Sequence, residues 1–282
     1  MEFHSTQINK QVNTLNTHLI ESDMVICEQP LQVNLVFLSP ENNQLLESFV
    51  YTITMRTPGN EQALIAGLLL SDGIVNTTSQ IISMTTDEDN TSKKNLWEVE
   101  LTQDCRSQLT SINKYQATYS SCGLCGNTSL NALELKAVKP LSNEKYWLHK
   151  QAIFNSEIAL LTAQRLQSIT GGAHCAALFN LSGEIISLKE DIGRHNALDK
   201  LIGNLALNNV LIASSCNYLV ISSRVSFEMV QKAIMAGIGV IIALGAPSAL
   251  AIQAAQRFDL TLIAFLKKET FNVYHGDWRL KR

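Results

Sequence analysis

The chain is short of charge, of aromatic rings and of proline. Charged residues make up 17% of its 282, against about 25% in an average soluble chain. Disorder needs high charge and few apolar groups, so a hydrophobic share of 46% excludes it over most of the length. Aromatics at 6% are too sparse for a base-stacking surface, and a net charge of −3 gives no general pull toward nucleic acid or an anionic membrane. With 5 Pro and 14 Gly, collagen-like and linker compositions are excluded as well. Met1 to Asp23 is rich in Asn, Gln and Thr and has no apolar segment of the kind a secretory signal needs.

An unbroken apolar span is also missing. Residues 233–252 carry no charge over 20 positions, yet Gly237, Gly239, Gly245 and Pro247 interrupt them. Helix end, buried strand, turn and helix start account for every breaker, whereas a lipid-spanning helix accounts for none. The expectation is a cytoplasmic protein that engages neither membrane nor nucleic acid. Six cysteines are present (Cys27, Cys105, Cys122, Cys125, Cys175 and Cys216), but a chain of this length can bury a core without disulfides.

What is there reads as an α/β chain, α+β overall. Residues 1–24 look like a polar tail. Residues 25–120 form a β-rich N-terminal region, with strands at Val25–Leu38, Tyr51–Met55 and around Trp97, Val99 and Leu101. Within it, Glu61–Ser71 has an apolar helical face that Gly73 can close in the left-handed conformation. A cysteine loop and connector follow over 121–150, with a short helix expected near Leu130–Lys136. Over 151–282 the pattern is regular: a helix capped by Asn155 or Ser156 and stopped by Gly171-Gly172, then a hairpin of strands His174–Asn180 and Glu184–Lys189. Helices near His195–Ala206, Ser226–Ala236 and Ser248–Arg257 then alternate with strands Tyr218–Ser222, Val240–Leu244 and Leu260–Phe265. Apolar strands alternating with helices call for helices layered on a sheet, and the opening hairpin makes that sheet mixed.

The sharpest local feature is Cys122-Gly-Leu-Cys125-Gly. Two thiols at this spacing can be half of a metal site, a redox dithiol or a nucleophile with a neighbour. Gly123 and Gly126 clear space beside each sulfur. A helix starting near Thr128 would place the sulfurs ahead of its N-terminus, where thiolate is favoured over thiol. A structural zinc site commonly needs a second such pair, and none exists. A thioredoxin-like motif would follow an apolar strand, but the upstream stretch is polar. The zinc-deaminase pattern lacks its H-x-E here and has Ser121 in place of Pro.

Other polar constellations sit at strand-to-helix corners, where α/β sheets gather ligands. They are Gly171-Gly172-Ala173-His174, Glu190-Asp191-Ile192-Gly193-Arg194-His195-Asn196, Ser222-Ser223-Arg224-Val225-Ser226 and Gly245-Ala246-Pro247-Ser248. Each also has a plainer reading as a helix stop or a cap; in the third, the cap would be a capping box closed by Glu228. From Arg257 to Arg282 six basic residues face three acidic ones, so this end carries +3 and the rest of the chain −6. A locally basic end suits a phosphate-bearing partner.

Taken in order, these segments, together with Met55-Arg-Thr-Pro-Gly59, Gly67-Leu-Leu-Leu-Ser-Asp-Gly73 and Phe271-Asn-Val-Tyr274, resemble the FdhD family of formate dehydrogenase accessory sulfur carriers over nearly the whole chain. Ser223, Gly239 and Lys267 stand where the family often has Gly, Pro and Arg. The resemblance implies a cytidine-deaminase-like C-terminal domain with a mixed sheet and flanking helices. It also implies a homodimer that takes sulfur from a cysteine desulfurase and passes it to the molybdenum bis(molybdopterin guanine dinucleotide) cofactor destined for formate dehydrogenase. On that basis Cys122 would carry the persulfide and Cys125 would be its companion thiol. Phe265, Leu266, Lys267, Lys268, Glu269 and Thr270 would be the cofactor-binding stretch. No resident metal is implied. Two rivals are a zinc-dependent hydrolase of deaminase-like fold and a non-catalytic molybdenum cofactor chaperone.

Overall fold

Alternation along Gln29–Leu38 puts Leu31, Val33, Leu35 and Phe37 on one face, all buried, which makes this segment (β3) the spine of the N-terminal layer. The computed structural model describes residues 4–13, 18–39, 41–42, 44–87, 94–108, 141–210 and 216–281. In it β3 pairs antiparallel with β4 (Leu45–Arg56) and parallel with β6 (Leu96–Leu101), which pairs antiparallel with β5 (Ile81–Thr86). The four-stranded order is β4-β3-β6-β5. Helix α1 (Glu61–Ser71) covers the apolar face, and its Leu64, Ile65 and Leu69 are fully buried there. Each such side chain contributes about 2 kcal/mol of transfer free energy. Asp72 follows the helix, and Gly73 takes φ +69°, the left-handed turn anticipated for it.

Residues 1–24, read above as a tail, behave differently. Ser5–Asn13 (β1) and His18–Ile26 (β2) pair as an antiparallel hairpin. Its residues are mostly polar because most of this ribbon is solvent-exposed, so it has no apolar period to announce it. It is held by His4 Nδ1 at 2.7 Å from the Pro58 carbonyl oxygen, and Ile26 packs beside Gly172, where an added Cβ would stand 3.1 Å from Ile26 Cγ2.

The C-terminal layer is a six-stranded mixed sheet in the order β12-β11-β10-β9-β7-β8. β7 (His174–Phe179) and β8 (Ile185–Asp191) form the expected hairpin, closed by Gly183 at φ +80°. β9 (Tyr218–Ile221), β10 (Val240–Ala243) and β11 (Thr261–Lys267) are parallel, and β12 (Thr270–His275) returns antiparallel on β11. The parallel strands are joined by α5 (Phe227–Met235) and α6 (Ala249–Arg257), which pack on one face together with α4 (Arg194–Leu207). α2 (Lys150–Ala163) covers the other face, and α3 (Arg165–Thr170) ends at Gly171 with φ +66°. α2 begins at Lys150 rather than at the expected Asn155 or Ser156. Ser156 is buried inside the helix, where its hydroxyl donates to the Ile153 carbonyl oxygen at 2.6 Å, so it cannot act as a cap. The uncharged window 233–252 runs from α5 through β10 into α6, and among the described residues no helix is long and apolar enough to cross a membrane.

The two layers meet along α1 and α4. A Cβ at Gly67 would lie 1.9 Å from the Asp199 carbonyl oxygen, and one at Gly203 would lie 1.9 Å from that of Ala63. Only glycine allows this backbone-on-backbone crossing. α4 is consequently buried nearly all round, between α1 and the sheet.

Candidate functional site

The polar corners picked out in the sequence converge at one edge of the C-terminal sheet. That edge holds the carboxyl ends of β8, β9, β10 and β11 and the start of β7. Asp191 pairs with His174 across β8 and β7. Next in the row, the Ser222 amide donates to the Cys175 carbonyl oxygen at 3.1 Å, and the Cys175 amide donates to Ser222 Oγ at 2.9 Å. The Gly245 amide donates to the Ser223 carbonyl oxygen at 3.3 Å, and the Phe265 amide to that of Gly245 at 3.4 Å. Gly245 cannot carry a side chain, since a Cβ would stand 2.7 Å from the Arg224 nitrogen.

Electrostatically this edge is cationic. His174 is held below its ordinary value by burial, then by the Arg194 and Arg224 guanidinium groups. His195 is lowered by burial as well; Glu228 opposes this, while Arg194, Lys232 and His174 add to it. The five basic groups His174, His195, Arg194, Arg224 and Lys232 therefore share one field, and that field together with burial disfavours the charged form of both imidazoles. His195 Nε2 lies 3.1 Å from Glu228 Oε2 but off the line of a hydrogen bond. Arg194 Nε, His195 Nε2 and Ser226 Oγ are buried atoms without a partner among the described residues. Unpaired buried polar atoms are costly, so their gathering at one edge makes it a candidate ligand site. The capping box read for Ser226 and Glu228 does not form: Ser226 precedes α5 without a side-chain cap, and Glu228 turns to His195 instead.

A buried polar seam holds the corner in place. Asp191, fully buried, accepts four hydrogen bonds: Lys200 Nζ at 2.7 Å and the Thr57 amide at 3.1 Å on Oδ2, and the Gly193 amide at 2.8 Å and Asn196 Nδ2 at 3.3 Å on Oδ1. Lys200 also donates to the Thr57 carbonyl oxygen at 2.7 Å, and Asn196 Nδ2 to that of Met55 at 2.8 Å. The Ile192 amide donates to Thr57 Oγ1 at 3.0 Å. Two segments more than 130 positions apart, 55–57 and 191–200, thus form one network. A second pair is formed on α4, where Lys232 Nζ is 2.8 Å from each oxygen of the buried Asp199 and Ser71 Oγ donates to Asp199 at 2.9 Å. Burial pulls the Lys232 ammonium down, but the carboxylates of Asp199, Asp72 and Glu228 together outweigh it and the net shift is upward. Glu190 caps α3, accepting the Leu166 and Gln167 amides at 2.9 Å each. Sequence reasoning missed Thr57, Lys200 and Lys232, and the available signal was a lysine on an otherwise apolar helix face.

The stretch 265–270 divides by orientation. Phe265 sits on a β-bulge with φ +56°, half-exposed, its ring 6.5 Å from Tyr274. Leu266 is buried in the core on the α2 side. Lys267, Lys268, Glu269 and Thr270 are exposed on the turn into β12. Leu266 can therefore offer a ligand only its backbone, whereas the side chains of the four residues after it are accessible. Cys122, Cys125 and the helix expected at Leu130–Lys136 lie outside the described residues. Burial pushes the Cys175 thiol up to about 12 and the Cys216 thiol, beside Glu144, up to about 11; Cys105 is raised for the same reason. None of these three is a ready thiolate. Among the described residues no group of three His, Cys, Asp or Glu is placed to hold a metal ion.

The family model of the FdhD/NarQ family matches residues 45–281, which takes in the C-terminal layer, the seam, the edge and every element of the four-stranded layer except β3. The chain belongs to the FdhD/NarQ family. Two relatives within it are each named sulfur carrier protein FdhD. The Streptomyces coelicolor protein is 38% identical over 261 residues, covering 90% of this chain and 88% of its own. The Sulfurisphaera tokodaii protein is 37% identical over 260 residues, covering 92% of each. The crystal structure of a Desulfotalea psychrophila protein described as a formate dehydrogenase accessory protein superposes with a TM-score of 0.71 at 22% identity, over 98% of this chain and 99% of that one. This last likeness shows a shared fold.

Proposed function

We propose that this protein is a sulfur carrier acting as a sulfurtransferase for formate dehydrogenase. The observation that carries the reading is near full-length similarity to proteins named sulfur carriers, at 38% identity to the Streptomyces coelicolor protein. In this reading the Cys122 thiolate attacks the terminal sulfur of a cysteine desulfurase persulfide. The old S–S bond breaks, the desulfurase thiolate leaves and Cys122 holds the persulfide. Cys125 then assists release by attacking the inner sulfur, closing a disulfide with Cys122 and freeing the terminal sulfur as hydrosulfide.

The substrate that receives the sulfur is the molybdenum bis(molybdopterin guanine dinucleotide) cofactor. Its pyrophosphates suit the cationic edge: Arg194 and Arg224 supply charge, the unpartnered donors supply bonds, and Lys267 and Lys268 extend the positive surface. The sheet order β8-β7-β9-β10-β11, an antiparallel hairpin followed by parallel strands, supports the deaminase-like reading of the C-terminal layer. A cytoplasmic homodimer completes the proposal.

The test is intact-mass spectrometry after incubation with a cysteine desulfurase and cysteine. A gain of one sulfur atom on the peptide that holds Cys122 and Cys125 is expected, and it should disappear in Cys122→Ala. A Cys122→Ala protein that still gains the sulfur and fully activates the dehydrogenase overturns the reading. Full function in the double cysteine variant would leave a chaperone, and stoichiometric zinc held through both cysteines would leave a hydrolase.

A further inference from the structure

Asp191 is the best-connected polar side chain of the seam and does not itself face the edge. It is fully buried, and its four accepted bonds come from three separate places: the Thr57 turn of the N-terminal layer, the Gly193 and Asn196 corner, and Lys200 one turn further along α4. The corner it holds leads directly into Arg194 and His195, whose Nε and Nε2 atoms are buried and make no hydrogen bond, Glu228 Oε2 lying 3.1 Å from the latter. A side chain at the first turn of a helix points where the turn before it permits. Gly193 leaves that turn no side chain to lean on: a Cβ there would already stand 3.1 Å from Asn196 Nδ2. The carboxylate of Asp191 is therefore the group that sets the corner.

We propose that Asp191 is a positioning residue of the strand-end site: by accepting from Thr57, Gly193, Asn196 and Lys200 together, it aims Arg194 and His195 at an anionic ligand and fastens their corner to the N-terminal layer. The ligand half of this inference rests on the reading above, that a pyrophosphate-bearing molecule binds this edge. Lys200 neutralises Asp191 and adds its own bond to the Thr57 carbonyl oxygen, so it belongs to the same device. An ion pair buried this deeply is not explained by stability alone, since an apolar pair of equal volume is often as stable. Holding one geometry at the edge is what the pair adds.

The experiment uses Asp191→Asn and the milder Asn196→Ala, with Arg279→Met as a control for general destabilisation. Arg279 is buried at the opposite end of the sheet, bonded to the carbonyl oxygen of Asp259 and to Thr261. GDP is the probe. Calorimetry should show affinity falling about tenfold or more in Asp191→Asn and less in Asn196→Ala. Arg279→Met should keep wild-type affinity at a temperature where it remains folded. The second readout needs no ligand: NMR titration of the His174 and His195 ring protons. If Arg194 swings away when its corner loosens, the His174 pKa rises toward its ordinary value. Loss of the Asp191 charge acting only through its field would lower it instead, so the two explanations differ in sign. Wild-type protein that ignores GDP would refute the ligand reading alone, and the titration would still decide whether Asp191 sets the corner. Unchanged affinity together with an unchanged or lowered His174 pKa in both variants overturns the proposal.

Discussion

Replacing Gly67 with alanine sets two known effects against each other. Within an exposed helix the change stabilises by about 1 kcal/mol, because glycine has more backbone freedom to lose. Here the new Cβ would stand 1.9 Å from the Asp199 carbonyl oxygen, where ordinary contact begins near 3.4 Å. The obstacle is backbone on both sides, so no side chain can rotate away, and α1 and α4 must separate by about 1.5 Å. A gap of that size forfeits much of the dispersion along the crossing. It also draws Ser71 away from Asp199, which is fully buried and paired with Lys232. Overpacking of this kind costs about 3 kcal/mol, which outweighs the propensity gain and leaves a net loss near 2 kcal/mol. Urea unfolding followed by circular dichroism should show a lower midpoint at unchanged slope. Gly203→Ala, which meets the Ala63 carbonyl oxygen at 1.9 Å, should behave alike. The double variant should cost less than the two singles added, because one separation of the helices relieves both clashes. A Gly67→Ala protein as stable as wild type would refute the reasoning and imply that the helices cross further apart.

Two predictions concern the edge. Lys267→Ala combined with Lys268→Ala should weaken GDP binding about tenfold at low ionic strength and less at high salt, since exposed charges are screened; unchanged affinity at low salt would remove both lysines from the site. Burial holds His174 and His195 below the ordinary 6.5, so their contribution to stability is complete above that pH and is lost as pH falls through the folded values. Over the same window protonation adds positive charge beside Arg194 and Arg224, and GDP should bind more tightly at about pH 5.5 than at about pH 7.5; calorimetry showing no change, or weaker binding on acidification, would refute this.

Much of the fold was legible because the C-terminal layer obeys local rules. α1 spans Glu61–Ser71 as its apolar face indicated, and β9, β10 and β11 are short apolar runs bounded by turn residues. The elements that escaped notice lie at the margins: the β1–β2 ribbon, β5 and β12 are edge strands with little continuous burial, so their sequences lack a clean period of two. At the site the corners were visible one at a time, as glycines and hydroxyls between strand and helix. Their assembly into one edge was not, because it depends on the pairing of Asp191 with His174 and on the order of strands in the sheet. The burial of Lys200 and Lys232 was illegible for a related reason. A lysine is buried only when a carboxylate meets it, and Asp191 and Asp199 do so through the tertiary fold.

α4 explains why the family's separate motifs have to coexist in one chain. Its first turn presents Arg194 and His195 to the edge, its second places Asp199 and Lys200 in the seam, and Gly203 lets α1 press against it. A shift of α1 is therefore transmitted to the edge through one helix that has almost no free surface on which to absorb it. The Met55–Gly59 turn serves as a partner of the seam. Its backbone supplies the oxygens that Lys200 and Asn196 require, and its amide supplies one of the donors on Asp191.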